Sequence, residues 1–567
     1  MKTPTAWMYY SQKQSNKKFN DLGQGFQDFV FELEKYQIEY DLGSENIIQH
    51  FGKVEDGEFI VGERNYNIVV LPPTFENFDK FTAGLLEQYI QQGGTVLSFN
   101  QIPLYIDGNK TDKINTLAGQ FPKQWINAKS LKEKVALDKL ISENFRVPEP
   151  EKIKGKLFHH RRKLKDGEIL LLVNTSIEEW STGTLRTKGK SVIELKLLTG
   201  EVNPYPAETK NGQLEIAFDL PPVGELLLFV SNSGKENPRI KNMVPEVKLV
   251  DPIDNLKINR TSPNMLILDY CDVKIDNGSE EKDIYFFKAA DTIFRYYGLN
   301  GNPWSRAVQY KTDILDKDTF PENAGFEATF FLNIDKNIDR AGLKAVVERP
   351  ERWSLLVNGE IVESNPGEFR LDRSFGVYSI GKHIHEGINE LTLLAEKMSI
   401  HAELEPVYIL GDFGLESLEK GWKLVSPKPL QTGPWKKQGL PHYADKVSYT
   451  KTYNLDPKKE RFIIHLPDWQ GSLAEVQVNS EYSGIIGWPP YELDITDKIR
   501  KGENKISVNV YGTLKNLLGP FHNNPQRGTA WPSQFESAPL HQPPGNSYDV
   551  IEYGLFEDFV LLEYTGN

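Results

Sequence analysis

Short apolar runs and helical stripes alternate over the first 125 residues. Trp7–Tyr10, Tyr66–Leu71 and Thr95–Phe99 are continuous apolar runs of the kind that parallel strands covered on both faces require. Between them Phe26, Phe29, Val30, Leu33 and Tyr36 share one face of a predicted helix, and Phe78, Phe81, Leu85 and Tyr89 share one face of another, which Gly93 and Gly94 end. The alternation predicts a small open α/β layer fold, with Pro72 and Pro73 at the carboxyl end of a strand.

From about 150 to 235 the period drops to two. LFHHRRKLKDGEILLLVNTS reads as a strand, a turn at Asp166 and Gly167, and a second strand, and further strands flank Asn211 and Gly212. The polar segment SNSGKENPRIKNMVPE, near 231–246, has no periodicity and reads as a domain linker.

Two β-rich regions beyond the linker repeat one pattern. VERPERWSLLVNGEIV, followed after a gap by YSIGKHIHEGINELTLLA, matches IHLPDWQGSLAEVQVNSEYSG followed by ELDITDKIRKGENKISVNV. In each, a strand ends at a proline (Pro350, Pro467), a tryptophan follows (Trp353, Trp469), and a second strand ends at Asn358-Gly359 or Asn479-Ser480. Gly387-Ile388-Asn389 and Gly502-Glu503-Asn504 then precede an alternating strand, placing residues that tolerate left-handed backbone at matched positions. Two jelly-roll sandwiches are expected. The expected division is therefore 1–125 (α/β), 126–240 (β-sandwich with leading linker), 241–422 (first jelly roll) and 423–567 (second), a multidomain and mostly β chain.

Composition narrows the function. The 567 residues carry 66 Lys+Arg against 79 Asp+Glu, a formal charge of −13 that repels phosphate backbones and anionic lipid, so neither nucleic acid nor membrane is an expected partner. Cys271 is the only cysteine, which rules out an intrachain disulfide and a cysteine-rich zinc site. No apolar run is long enough for a signal peptide or a membrane span, and the chain is expected to be soluble.

The repeat (VNG, then Asp-Ile-Thr, then GEN before a strand) resembles the galactose-binding-like, sugar-binding jelly rolls of glycoside hydrolase family 2. Over nearly the whole chain, EDGEFIVGERNYNIVVLPP, FHHRRKLKDGEILLLVNTS, NMLILDYCDVKIDNG and GNPWSRAVQYK are similar to carboxy-terminal regions of family 106 α-L-rhamnosidase-like proteins. That resemblance implies a catalytic (β/α)8 barrel, an α/β domain of amidotransferase-like shape, a β unit and jelly rolls, in that order. Met1 then falls at the α/β domain, and the resemblance implies a barrel encoded upstream or on another chain, with a glycan or glycoside as ligand. It implies no cofactor, leaves a structural calcium open, and places full-length relatives in the periplasm or outside the cell.

Glycosidases need two carboxyl groups about 5 to 9.5 Å apart, one of them kept protonated. The sequence alone selects no such pair, so the catalytic residues stay unknown and the chain is expected to be the accessory, glycan-handling part of a hydrolase; a stand-alone glycan-binding protein is the alternative. Glu403 and Glu405 alternate in IHAELEPVYILGDF and are expected to lie on a solvated acidic face. An amidotransferase nucleophile is lacking, because the α/β segment has no cysteine. Sugar contacts combine aromatic faces with amide, guanidinium or carboxylate groups. Two loops offer them: GLNGNPWSRAVQYK, with Asn302, Trp304, Arg306 and Gln309, and the long aperiodic stretch from Gly512 to Asp549, with Asn516, His522, Arg527, Trp531, Glu536 and His541. Leu517, Leu518, Phe521, Trp531 and Phe535 are expected to anchor that stretch. Trp488 lies in a loop of the second repeat, with Tyr491 nearby. His159, His160, Arg161 and Arg162 cluster on one strand as an expected charged edge, of which His159, His160 and Arg161 are candidate contributors to an assembled site. No metal site is expected there, since adjacent strand residues face opposite ways.

Overall fold

The computed structural model describes residues 16–141, 144–234, 246–276, 279–306, 308–457, 461–522 and 530–565. The expected strand Trp7–Tyr10, most of the linker and Arg527 lie outside the described residues. The chain forms two compact units, 1–242 with Trp488–Pro490, and 243–487 with 491–567. It is multidomain and mostly β, with α/β structure at the start and sandwiches after it. Among the described residues no helix is long and apolar enough to cross a membrane.

In the first unit Ile68–Leu71, Thr95–Phe99 and Trp125–Ala128 pair in parallel, as their continuous apolar runs require. Helix Asn16–Lys35 buries Phe29 and Leu33 against Leu97 and Phe99. The second helix differs from expectation. It starts at Lys80, after a two-residue strand Asn77–Phe78, and buries Thr82, Leu85, Leu86, Tyr89 and Ile90. Phe81 falls off that stripe and is 41% exposed, because residues step by about 100° round a helix and the buried face centres on Leu86, five positions away.

The β part of this unit faces a four-stranded sheet against a five-stranded one around Leu170, Leu172, Leu185, Leu214, Ile216 and Leu228. Leu157–Lys163 and Gly167–Asn174 form the expected hairpin, and Asn211 and Gly212, both at positive φ, turn the chain between Glu208–Lys210 and Gln213–Leu220.

In the second unit the first sandwich packs a five-stranded sheet (Asn264–Leu268, Val407–Gly411, Lys344–Glu348, Phe375–Ser379, Ser364–Phe369) against a sheet centred on Phe326–Ile334. The second packs Lys257–Arg260, Lys446–Leu455, Gly502–Tyr511, Leu473–Val478 and Glu481–Ile486 against Glu246–Val250, Val560–Thr565, Arg461–His465 and Glu492–Asp494. Its edges therefore include residues 246–260, which precede the first sandwich in sequence and pair with strands nearly 200 or more residues later.

The two ends of the long stretch lie on the outer face of the first five-stranded sheet, where Leu517, Phe521, Tyr548 and Val550 pack on Met265, Ile267, Val346, Val377, Tyr408 and Leu410. This covers the sheet on both faces, and Asn264–Leu268 and Val407–Gly411 are accordingly buried at every position. Of the expected anchors, Leu517 and Phe521 are buried and Phe535 is partly buried against Phe286, whereas Leu518 and Trp531 are 39% and 57% exposed. The short helix Pro532–Phe535 turns Phe535 inward and leaves its N-cap Trp531 outward.

The two sandwiches share one hydrogen-bond device. Gly387 (φ 90°) and Gly502 (φ 95°) turn the chain so that the side chain of the asparagine two positions later folds back. Asn389 Nδ2 donates to the carbonyls of His385 (2.8 Å) and Gly387 (3.2 Å), and Asn504 Nδ2 to those of Arg500 (2.7 Å) and Gly502 (3.0 Å). A second asparagine, in left-handed conformation after the preceding strand, donates to the first: Asn358 to Asn389 at 2.9 Å, Asn479 to Asn504 at 3.0 Å.

The histidine–arginine cluster has a structural use. The helix Asn16–Lys35 ends at Gln37 in left-handed conformation, and Gln37 donates to the Leu157 carbonyl (2.9 Å) and lies 2.8 Å from His159 Nδ1. Arg161 grips Glu39 (2.6 and 2.8 Å) and Glu168 (3.0 Å), and His159 stacks on Phe145 at 4.5 Å. The expected charged edge is thus a buried brace between the α/β part and the β part, with both side chains 5% exposed and only His160 and Arg162 facing outward. Three of the five Arg161 N–H groups and the His159 Nδ1 are engaged in this brace.

Burial holds the His159 imidazole neutral, its pKa lowered to about 4. The unfolded chain then binds the extra proton between roughly pH 6.5 and 4, so this group's stabilisation is lost as pH falls through that window, by about 3 kcal/mol at full extent. Urea unfolding from pH 7.5 to 4.5, compared with His159→Gln, checks this: the variant should lose the part of the acid slope between pH 6.5 and 4.5 that His159 supplies.

Candidate functional site

A cluster of polar groups in the second unit gathers beside the end of strand Lys344–Glu348. Ala402 and Leu404 are buried, and the residues between and beyond them, Glu403 and Glu405, are drawn in beside the end of strand Lys344–Glu348. The alternation is as read, but the expected solvated face is corrected: both acids are partly buried. The segment is an extended run leading into Val407–Gly411, a strand buried at every position.

Asn302 closes one side. It is 5% exposed, its Oδ1 accepts from the Trp304 backbone N–H (3.0 Å) at the start of the single turn Pro303–Ser305, and its Nδ2 donates to Glu403 Oε1 (2.8 Å). Trp304 spends its indole N–H on the Ile400 carbonyl (2.7 Å) and is flanked by the Arg349 guanidinium (5.7 Å) and the His401 ring (5.5 Å). It is a wall of the site, with its ring already engaged. Arg349, left-handed at φ 51°, also donates to the His401 carbonyl (3.3 Å).

Three carboxyls therefore face one guanidinium. Burial raises Glu405 well above the ordinary carboxylate range, Glu403 and Glu348 add to the rise, and Arg349 opposes it. Glu403 is raised by burial and by Glu348 against the Asn302 amide and Arg349, and Glu348 by burial, with Asp372 and Glu351 adding. Such a cluster holds protons at pH values where free carboxylates have lost them, so its oxygens both donate and accept hydrogen bonds. Raised carboxyls make the native state the better proton binder above pH 4.5, so their contribution to stability declines as pH rises from there. Glu405→Gln, which keeps a neutral donor in place, should flatten that decline in urea titrations between pH 5 and 8; an unchanged slope would show that Glu405 ionises freely.

The other candidates are placed elsewhere. Arg306 is exposed and pairs with Asp313 (3.0 Å), and exposed Gln309 donates to the Trp304 carbonyl (3.2 Å). Asn516 is a correction: it is buried, and its amide is consumed by Ile551, donating to its carbonyl (2.9 Å) and accepting from its N–H (2.7 Å). His522 is also enclosed, 3.5 Å from the buried carboxylate of Asp269, whose other oxygen accepts from Tyr548 (2.7 Å); together they dock the long stretch. Trp531 and Glu536 lie on the surface, as does His541, 3.6 Å from Asp283. Trp488 is 41% exposed, ahead of a cis Pro489–Pro490 bond. Arg527 lies outside the described residues. Glu348 and Arg349 escaped the sequence reading; their signal was a strand end four residues before Trp353, which looks like any polar turn until it meets residues 302 and 403. Among the described residues no three His, Cys, Asp or Glu side chains are placed to hold a metal ion.

The sequence matches no protein-family model and no curated protein. Solved structures similar to the chain include glycosidases. A rhamnosidase from Novosphingobium sp. PP1Y is 13% identical over 93% of this chain and 36% of its own, with a TM-score of 0.46. A β-glucuronidase from Bifidobacterium dentium is 19% identical over 25% of this chain and 26% of its own (TM-score 0.17). A putative β-galactosidase from Bacteroides fragilis is 9% identical over 44% and 36% (TM-score 0.18). The chain thus spans about a third of the rhamnosidase's length.

Proposed function

We infer that the chain handles carbohydrate, as the accessory, glycan-binding part of a glycoside hydrolase of α-L-rhamnosidase type whose catalytic barrel is supplied from outside residues 1–567. The observation that carries the reading is the cluster of Glu348, Glu403 and Glu405. There an amide, a guanidinium and carboxyls able to donate as well as accept converge beside an aromatic wall, which is the mixture that vicinal hydroxyls call for. The family 106-like phrases and the paired sandwiches support it. In this reading the sandwiches are galactose-binding-like jelly rolls, the ligand is a glycan or glycoside, and no cofactor takes part.

Calorimetric titration of the full chain with rhamnose-containing oligosaccharides tests it. Glu403→Gln should weaken binding about tenfold, the cost of one hydrogen bond to a charged or proton-sharing group. Equal affinity in the variant would remove the cluster from the reading. Turnover of an aryl α-L-rhamnoside by the chain itself, abolished in Glu405→Gln, would replace the accessory role with a catalytic one, since a carboxyl kept protonated near neutrality is what a general acid requires.

A further inference from the structure

The parallel sheet of the first unit has an open edge. Ile68–Leu71 pairs on one side with Thr95–Phe99, and among the described residues no strand pairs with its other side. Backbone N–H and C=O groups on such a side need partners wherever water is kept out. A cavity of about 580 Å³ lies along this edge, bounded on one side by residues 66–70 and on the other by residues 38–44, the stretch that follows helix Asn16–Lys35. Tyr66 bridges the two sides beside the amino end of the strand, its hydroxyl donating to Asp41 (2.7 Å). The lining comes from both faces of the sheet. Phe29, Leu33 and Leu140 share a core with Ile68 and Val70, whereas Ile48 and Phe59 share one with Val69 and Leu71, the alternate residues of the same strand. Leu42, Ile47 and Ile141 also line the cavity and are exposed, apolar area that an occupant would remove from water.

A slot that opens to both faces along a strand edge fits an extended backbone, which sends alternate side chains to the two faces and hydrogen-bonds along the edge. The chain supplies such a segment. Ala6–Tyr10 is the apolar run within residues 1–15, and Trp7–Tyr10 has the unbroken apolar character of a parallel strand covered on both faces. Helix Asn16–Lys35 begins at the carboxyl end of Ile68–Leu71, where Lys18 pairs with Glu76 (3.3 Å) and Thr74 donates to the Leu22 carbonyl (3.5 Å). We propose that the cavity is a strand-docking site whose occupant is this chain's own Trp7–Tyr10, seated between residues 38–44 and Ile68–Leu71. The six residue steps from Tyr10 to Asn16 reach about 20 Å at most, so the strand runs parallel to Ile68–Leu71 with Tyr10 toward the helix start, in the strand–helix–strand order that parallel sheets use. Trp7 and Tyr9 then face one core, and Met8 and Tyr10 the other. This docking is independent of the carbohydrate reading.

Hydrogen-exchange mass spectrometry on the full chain is the test. The amides of residues 7–10 should exchange about a hundredfold or more slower than those of an unstructured peptide. Met8→Asp puts a charge into an apolar slot and should release residues 7–10 and Ile68–Leu71 together, while Thr95–Phe99 stays protected and shows that the sheet is still folded. Thr3→Asp, outside the apolar run, should change neither segment. If Met8→Asp unfolds the unit, exchange in the parental chain decides alone. Residues 7–10 exchanging as a free peptide, or keeping their protection in Met8→Asp, would overturn the proposal. Protection that appears only as the protein concentration rises would assign the slot to the same segment of a second copy instead.

Discussion

Asn504→Ala is expected to destabilise the second sandwich by about 4 kcal/mol, because four hydrogen bonds end on this one fully buried amide. Truncation removes the acceptor of the Arg500 N–H and of the Asn479 amide, and the donor to the carbonyls of Arg500 and Gly502. Each orphaned group costs roughly 1–3 kcal/mol where water cannot reach it, and partial relaxation lowers the sum. Asn389→Ala should cost the first sandwich a similar amount through the matched network. Urea unfolding followed by tryptophan fluorescence and far-UV dichroism measures both. Asn504→Asp keeps the acceptor and should recover about half. A loss below about 1 kcal/mol would mean that water replaces the amide and that the turn at Gly502 stands without it.

Arg161→Met is the second large effect, about 3 kcal/mol, in the first unit. Its guanidinium is held by Glu39 and Glu168 with 5% of the side chain exposed, and removing one member of a buried ion pair strands the other. Glu39 sits at 41% exposure and rehydrates cheaply, so most of the cost falls on Glu168, which is 10% exposed in its side chain and also accepts from Thr187. Adding Glu168→Gln to Arg161→Met should therefore restore much of the stability, whereas adding Glu39→Gln should restore little. A double variant no better than the single would place the cost in lost packing of the arginine stem over Phe145.

These two sites show why different parts of the molecule were readable to different depths. The matched turns were visible as Gly387-Ile388-Asn389 and Gly502-Glu503-Asn504, because the left-handed backbone at each glycine is a local requirement, whereas the return of the asparagine side chain to carbonyls two and four residues back was not read. The brace at Arg161 read as a charged strand edge, since Gln37 and Glu39 are more than 120 residues away. The stripe of the second helix was drawn through the wrong residues: Phe78 belongs to the two-residue strand before the helix, and the buried face centres on Leu86 and leaves Phe81 outside it.

The same division holds for the sites. Asn302, Trp304 and the alternation of Glu403 and Glu405 could be picked out individually from the chain, and so could the anchoring residues Leu517 and Phe521. What their neighbours are was decided by tertiary packing. Val407–Gly411 is covered on its second face by residues more than 100 positions later, and Glu403 and Glu405, just before it, are raised by burial and by Glu348, which lies more than 50 residues away in the chain. The sequence by itself determined the periods, the turns, the repeat and the mostly β layer architecture, which rest on contacts along a strand or across a hairpin. Burial and electrostatics belong to the tertiary structure alone, because a charge responds to whatever lies within a few ångströms of it, regardless of separation along the chain.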